Sequence, residues 1–277
     1  MRQRPWIYFL VPFLLHSADA LAWGLATHIY FSQLLIWATP LLDPRFRAAA
    51  KRLPHLMLAG ACLPDLALVG RSAKTDAFND THCWEQAARL LDRADSDEAR
   101  AIALGYASHL FVDIIAHNHF VPAHEHMWLK LPVVTHAVSE WAMDAHIARH
   151  VFASPPRLIG EHQATLAMYA ESEFGCTREE AEKALRYLRR ATNVLYAGRF
   201  HFTLYAGAKR LDSRLKQRFD YYVSETAARL PQINRLLAGE APSWQADLSG
   251  SGRSALFQDI DPAAVRGPLP LPANLFG

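Results

Sequence analysis

The stretch His109-Leu-Phe-Val-Asp113-Ile-Ile-Ala-His117-Asn-His119 closes a long Ala- and Leu-rich run, 98–116, in which Gly105 is the only Gly or Pro. On a helix, His109 and Asp113 stand at i and i+4, so their side chains share one face. An imidazole nitrogen and a carboxylate on one face can bind the same ion, and the carboxylate's second oxygen can reach another. His136-Ala-Val-Ser-Glu140 repeats the device: His, then a carboxylate four residues on, again in an apolar setting. Burying so many titratable groups without a cation is costly. The two pairs therefore predict apolar helices built around metal.

Outward from this centre the pattern is helical nearly throughout. His28–Ala38 carries apolar residues at helical spacing. Pro44–Leu58 reads as a second helical region, kinked or restarted at Pro54, with Gly60–Pro64 as its exit. Asn79–Asp92 predicts a helix capped by Asp80 or Thr81, and Ser96-Asp97 precedes the run at 98–116. That helix is expected to end before Pro122. Thr135–Phe152 is a further helix, ended by Pro155-Pro156. Thr177-Arg-Glu-Glu180 is a capping box that opens 178–197, and 209–238 holds one or two more helices. Alternating runs with hairpin turns are absent. The expectation is an all-α, single multi-helix domain over 23–248, followed by an irregular tail, 249–277.

The N-terminus predicts a secretory signal peptide. Arg2 and Arg4 precede the apolar run Trp6–Leu15, and Ala20-Leu21-Ala22 is a small-x-small cleavage site. The apolar run is shorter than the roughly 20 residues that a spanning helix needs. Cleavage after Ala22 would make Trp23 the first residue, and no other segment reads as transmembrane. The full chain has 277 residues and a formal charge of +2; losing Arg2, Arg4 and Asp19 leaves +1. A nearly neutral chain gives no electrostatic case for a stable nucleic-acid partner. The three cysteines, Cys62, Cys83 and Cys176, form no disulfide framework and show no C-x-x-C spacing. A Cys62–Cys83 pairing is left open.

Histidines are concentrated before residue 150. Six of the fourteen, namely 109, 117, 119, 124, 126 and 136, fall within one short segment. Three further motifs precede it: Trp23-Gly-Leu-Ala-Thr-His28, Cys62-Leu-Pro-Asp65 and Thr81-His82. Trp23 could chelate through its free amine and its carbonyl once it is N-terminal.

Taken together the motifs run W-G-x-x-x-H, P-D, a single His, H-x-x-x-D-x-x-x-x-x-H and H-x-x-x-E. In this order the chain resembles the zinc-dependent phospholipase C family, which is related to the single-strand-specific zinc nucleases. The resemblance spans Trp23 to Glu140, about half the chain. It implies an all-α fold and three zinc ions. Asp65, His82, His109 and Asp113 would hold the first. His119, His136 and Glu140 would hold the second, the family spacing selecting His119 over His117. The Trp23 amine and carbonyl, His28 and the bridging Asp113 would hold the third. His124, His126, His146 and His150 have no counterpart in the pattern.

The implied chemistry is hydrolysis of the phosphodiester of glycerophospholipids by metal-activated water, giving diacylglycerol and a phosphorylated headgroup. Asp65 would orient or deprotonate the water. The substrate would be met at a membrane surface by a secreted or periplasmic enzyme. The alternative is a secreted zinc nuclease or nucleotidase. The five-residue Trp-to-His interval resembles the nucleases; Glu140 and Pro64-Asp65 resemble the phospholipases. Ser139 has no triad partners in the pattern, so serine catalysis is not expected. Phe78 and Trp84, flanking His82, are read either as cleft-mouth aromatics or as core.

Overall fold

The structure, a computed structural model, describes residues 24–128, 132–246 and 271–276. Among them the regular elements are helical and no strand occurs. Helix α1 is Leu25–Trp37, α2 is Pro44–Arg52 and α3 is Pro54–Gly60. Asp43 caps α2 by accepting from the backbone N–H of Arg45 at 2.8 Å and of Phe46 at 3.4 Å. Pro54 restarts the chain as α3, as expected, because a proline in the first turn gives up only an N–H that has no helical partner. A 3₁₀ turn, Pro64–Val69, leads into the short α4, Gly70–Ala73.

Helix α5, Trp84–Asp92, begins later than expected. Neither Asp80 nor Thr81 caps it. The Thr81 hydroxyl is turned back to donate to Phe78 O at 3.0 Å and Pro64 O at 2.6 Å, and residues 79–82 form a turn. The central helix α6, Asp97–Ile115, starts under a Ser96 cap with Ala99 N at 3.1 Å. It does not end before Pro122. A π-helical turn, Ala116–Phe120, joins it to α7, Val121–Met127, so the proline falls in a first turn where its missing N–H is tolerated.

Helix α8 is Pro132–Ile147 and stops short of the expected Phe152. Pro155-Pro156 does not end that helix but opens α9, Pro155–Glu161. Helix α10, Gln163–Phe174, was not anticipated, whereas α11, Arg178–Ala197, starts on the expected Thr177–Glu180 capping box. Helices α12 (Phe200–Leu211), α13 (Leu215–Arg229) and α14 (Ile233–Leu237) complete the described domain. From the tail, residues 271–276 lie back on it: Arg229 donates to Pro272 O at 2.6 Å and Leu271 O at 3.1 Å, and Phe276 is buried.

Helix α6 is the axis of the core, with α1, α2, α3 and α5 packed on it. From Ala101 to Ile115 every residue is buried. Continued through the following turn and helix as Asp97–Met127, it has the length and composition of a membrane span, but most of its apolar window is covered by protein. The crossing with α3 is backbone on backbone: a Cβ on Gly105 would lie 2.0 Å from Met57 O, and one on Gly60 would lie 2.5 Å from Ile102 O. This close approach brings the exit of α3, and with it Asp65, to the face of α6 that carries His109 and Asp113.

Candidate metal centre

Each sequence motif sits where an element of the core can aim it inward. His28 lies in the first turns of α1, and Asp65 at the start of the 3₁₀ turn after α3. His82 sits in the turn before α5, which is tied in twice: Thr81 Oγ1 donates to Pro64 O, and Tyr106 Oη of α6 donates to Thr81 O. His109 and Asp113 share one face of α6, and His136 and Glu140 one face of α8. Trp23 lies outside the described residues.

Asp113 is the hub. Its Oδ2 is 3.2 Å from His109 Nε2 and 3.6 Å from His82 Nε2. Its Oδ1 is 3.3 Å from His28 Nε2 and 4.0 Å from His117 Nε2. Asp65 Oδ1 is 3.7 Å from His109 Nε2 and 3.8 Å from His82 Nε2. The imidazoles of His28 and His109 stack with centroids 3.6 Å apart. Three groups of donor atoms result, each within 4.8 Å of one another: Asp65, His82 and His109; His28, His109 and Asp113; and His117, His136 and Glu140.

The third group holds His117 where the resemblance had placed His119. Four residues are just over one helical turn, so His117 keeps to the face of Asp113; six are about one and two-thirds turns, and His119 leaves it. The His119 ring lies instead by Trp244, with centroids 6.0 Å apart. Glu140 Oε1 is 2.8 Å from His136 Nε2, and the other nitrogen, Nδ1, faces Glu125 Oε1 at 3.7 Å. Glu125 was not singled out in the sequence because it stands outside any ligand spacing.

Burial sets the electrostatics. It pushes the Asp65 and Asp113 carboxyls up to about 7, and Glu140 well above the usual carboxylate range. It pushes His82 and His119 down to about 4 and lowers His109. Protein alone thus favours neutral acids and neutral imidazoles here. Asp65 Oδ1, both oxygens of Asp113, His82 Nε2 and His109 Nε2 are buried and make no hydrogen bond. The tautomer of His109 is set by Nδ1–H, which donates to Ala61 O at 2.8 Å and leaves the Nε2 lone pair aimed at the two carboxylates. Converging oxygen and imidazole lone pairs, held without donors of their own, are what a divalent cation requires.

A comparison with family models matches residues 27–227 to the zinc-dependent phospholipase C model. The chain belongs to the zinc-dependent phospholipase C family. No curated protein and no solved structure gave a match. The zinc that the family implies suits the donor set: imidazole and carboxylate with no cysteine, since Cys62 and Cys83 are free thiols and neither joins a donor group. In this family member Phe78 is fully buried and Trp84 nearly so, with Trp84 Nε1 donating to Trp244 O at 3.1 Å. Both are packing residues. Trp244, the aromatic beside His119, stands far from any ligand motif in the sequence.

Proposed function

We propose that this family member is a secreted zinc-dependent phospholipase C that hydrolyses glycerophospholipids to diacylglycerol and a phosphorylated headgroup. The observation that carries the reading is Asp113, whose two oxygens face different histidine groups as a bridging carboxylate does. Three ions are proposed. Asp65, His82, His109 and Asp113 would hold the first; His136 and Glu140, with His117 in place of His119, the second; Trp23, His28 and Asp113 the third. Bound zinc lowers the pKa of water to about 7 and neutralises charge on phosphoryl oxygens.

The protein's part is to hold these donors in a dry setting and to move a proton. Asp65 is the proposed acceptor, because it is buried beside His82 and His109 and its Oδ1 has no hydrogen bond. The hydroxyl added to phosphorus and the proton taken by the departing diacylglycerol oxygen balance the hydrolysis.

The deciding assay uses the mature protein loaded with zinc, on phosphatidylcholine vesicles and on single-stranded DNA. Release of phosphocholine without nucleotides is expected. Nucleotide release without phosphocholine would establish the nuclease reading instead. A second expectation concerns processing. The free α-amino group has a pKa near 7.7–8.0, so a metal displaces its proton readily, whereas an amide nitrogen is a poor ligand. One extra residue before Trp23 should therefore weaken one metal site and spare two. Three zincs bound with unaltered affinity would remove Trp23 from the ligand set.

A further inference from the structure

Helix α8 carries a second inward acid one turn beyond Glu140. His136, Glu140 and Asp144 stand at i, i+4 and i+8, so all three lie along one face. Asp144 is fully buried, yet it belongs to none of the three donor groups of the centre. It points instead at the start of α1. Its Oδ1 accepts from Thr27 N at 2.9 Å and Thr27 Oγ1 at 2.7 Å; its Oδ2 accepts from Ala26 N at 3.3 Å and from the hydroxyl of Tyr196 on α11. Tyr196 Oη also stands 3.1 Å from Ala26 N.

A buried carboxylate that collects two backbone N–H groups and two hydroxyls fixes the first turn of α1 in both position and direction. Gly24 confirms how closely it is gripped. Its φ of −55° suits any residue, but a Cβ there would lie 2.2 Å from Asp144 Oδ2. The glycine of the Trp23-Gly24 pair is therefore required by Asp144, not by backbone conformation. The side chain of Thr27, between Gly24 and His28, completes the grip.

We propose that Asp144, with Tyr196, is the positioning residue for the third metal site. It anchors the segment Gly24–Thr27, which Trp23 directly precedes and His28 directly follows, and so holds His28 Nε2 3.3 Å from Asp113 Oδ1. It thereby ties this site to α8, the helix that carries His136 and Glu140. The inference rests on the reading of Trp23 and His28 as metal ligands. Asp144 itself is not a ligand here, and all its oxygen contacts are to protein donors.

Asp144→Asn keeps the shape but puts an amide NH₂ where one carboxylate oxygen accepted two hydrogen bonds. Zinc and cobalt(II) titrations of the mature protein should show a loss of at least about tenfold in affinity at one site, with the other two within about twofold. The visible spectrum of the cobalt protein should lose the contribution of one ion. Tyr196→Phe should give a smaller loss, roughly threefold, at the same site, and this variant also serves should Asp144→Asn fail to fold. A merely structural role would lower the melting temperature and weaken all sites together; that result, or unaltered affinity at all three sites, overturns the proposal. His28→Ala is the reference. If it loses one ion while Asp144→Asn and Tyr196→Phe lose none, the positioning role fails alone. If His28→Ala also keeps three ions, the underlying ligand reading has failed.

Discussion

Asp113→Asn is expected to lower kcat/KM by at least roughly a thousandfold and to leave the protein with at most one tightly bound zinc. The substitution preserves volume, so the packing of α6 should survive. What it removes is one anionic oxygen from a residue whose two oxygens face His109 and His82 on one side and His28 and His117 on the other. An amide nitrogen is a donor and cannot ligate. Removing one well-placed electrostatic partner from an active site commonly costs a factor of about 10²–10³, and Asp113 serves two donor groups. His117→Ala, which deletes one neutral ligand from one group, should cost less. The same variant makes an opposite prediction for stability. Without metal, burial holds the Asp113 carboxyl up near 7, so an ionised Asp113 opposes folding at alkaline pH. In chelator at about pH 8, Asp113→Asn should melt no lower than the unmodified protein. Elemental analysis, steady-state kinetics and thermal melts check the three statements. Wild-type zinc content with activity within tenfold would remove Asp113 from the centre.

Local chemistry explains which parts of this fold were readable beforehand. The i, i+4 pairs were legible because a helix puts those positions on one face whatever surrounds it, and α6 and α8 place both pairs inward. Thr177 and Glu180 announced α11 because a capping box is satisfied within four residues. Signals settled by distant partners misled. Thr81 looked like a cap but its hydroxyl is spent on Pro64 O, seventeen residues back. Pro155-Pro156 looked like a stop, whereas proline is equally at home in a first turn.

The choice between His117 and His119 shows the same limit within the site. Family spacing favours the second, but the run from Asp113 stays helical through a π turn, and helical geometry brings His117 to His136 and Glu140. Asp144 was invisible for a different reason. It is i+4 from Glu140, but its partners lie on α1 and α11, more than 50 residues away in either direction. Nothing short-range marks a carboxylate whose work is to hold another helix.

Removing zinc with a chelator should lower the melting temperature by on the order of 10 °C per site, and the loss should widen as pH rises. The size follows from linkage: a ligand at a thousand times its Kd stabilises the native state by about 4 kcal/mol, and 1 kcal/mol moves a chain of this size by about 2–4 °C. The direction with pH comes from the buried ligands. In the metal-free protein Asp65 and Asp113 titrate near 7, against 3.8 when unfolded, so between those values the native state binds more protons and stability falls as pH rises. His82 titrates near 4, against 6.5 when unfolded, so it acts the other way, and its effect is complete only above about 7.5. From about pH 7 to 8 the imidazole contribution fades while Asp65 and Asp113, and Glu140 held well above the usual carboxylate range, still favour the protonated native state, and metal-free stability should decline. A bound cation holds the same carboxylates ionised and the imidazoles neutral. The loaded protein then takes up no extra protons on folding, and its stability should be level or rise across that window. Melts followed by circular dichroism at about pH 6, 7 and 8, with and without chelator, read the gap directly. A gap that narrows with pH would mean that Asp65 and Asp113 are not ionised by the metal, and that the cation sits elsewhere.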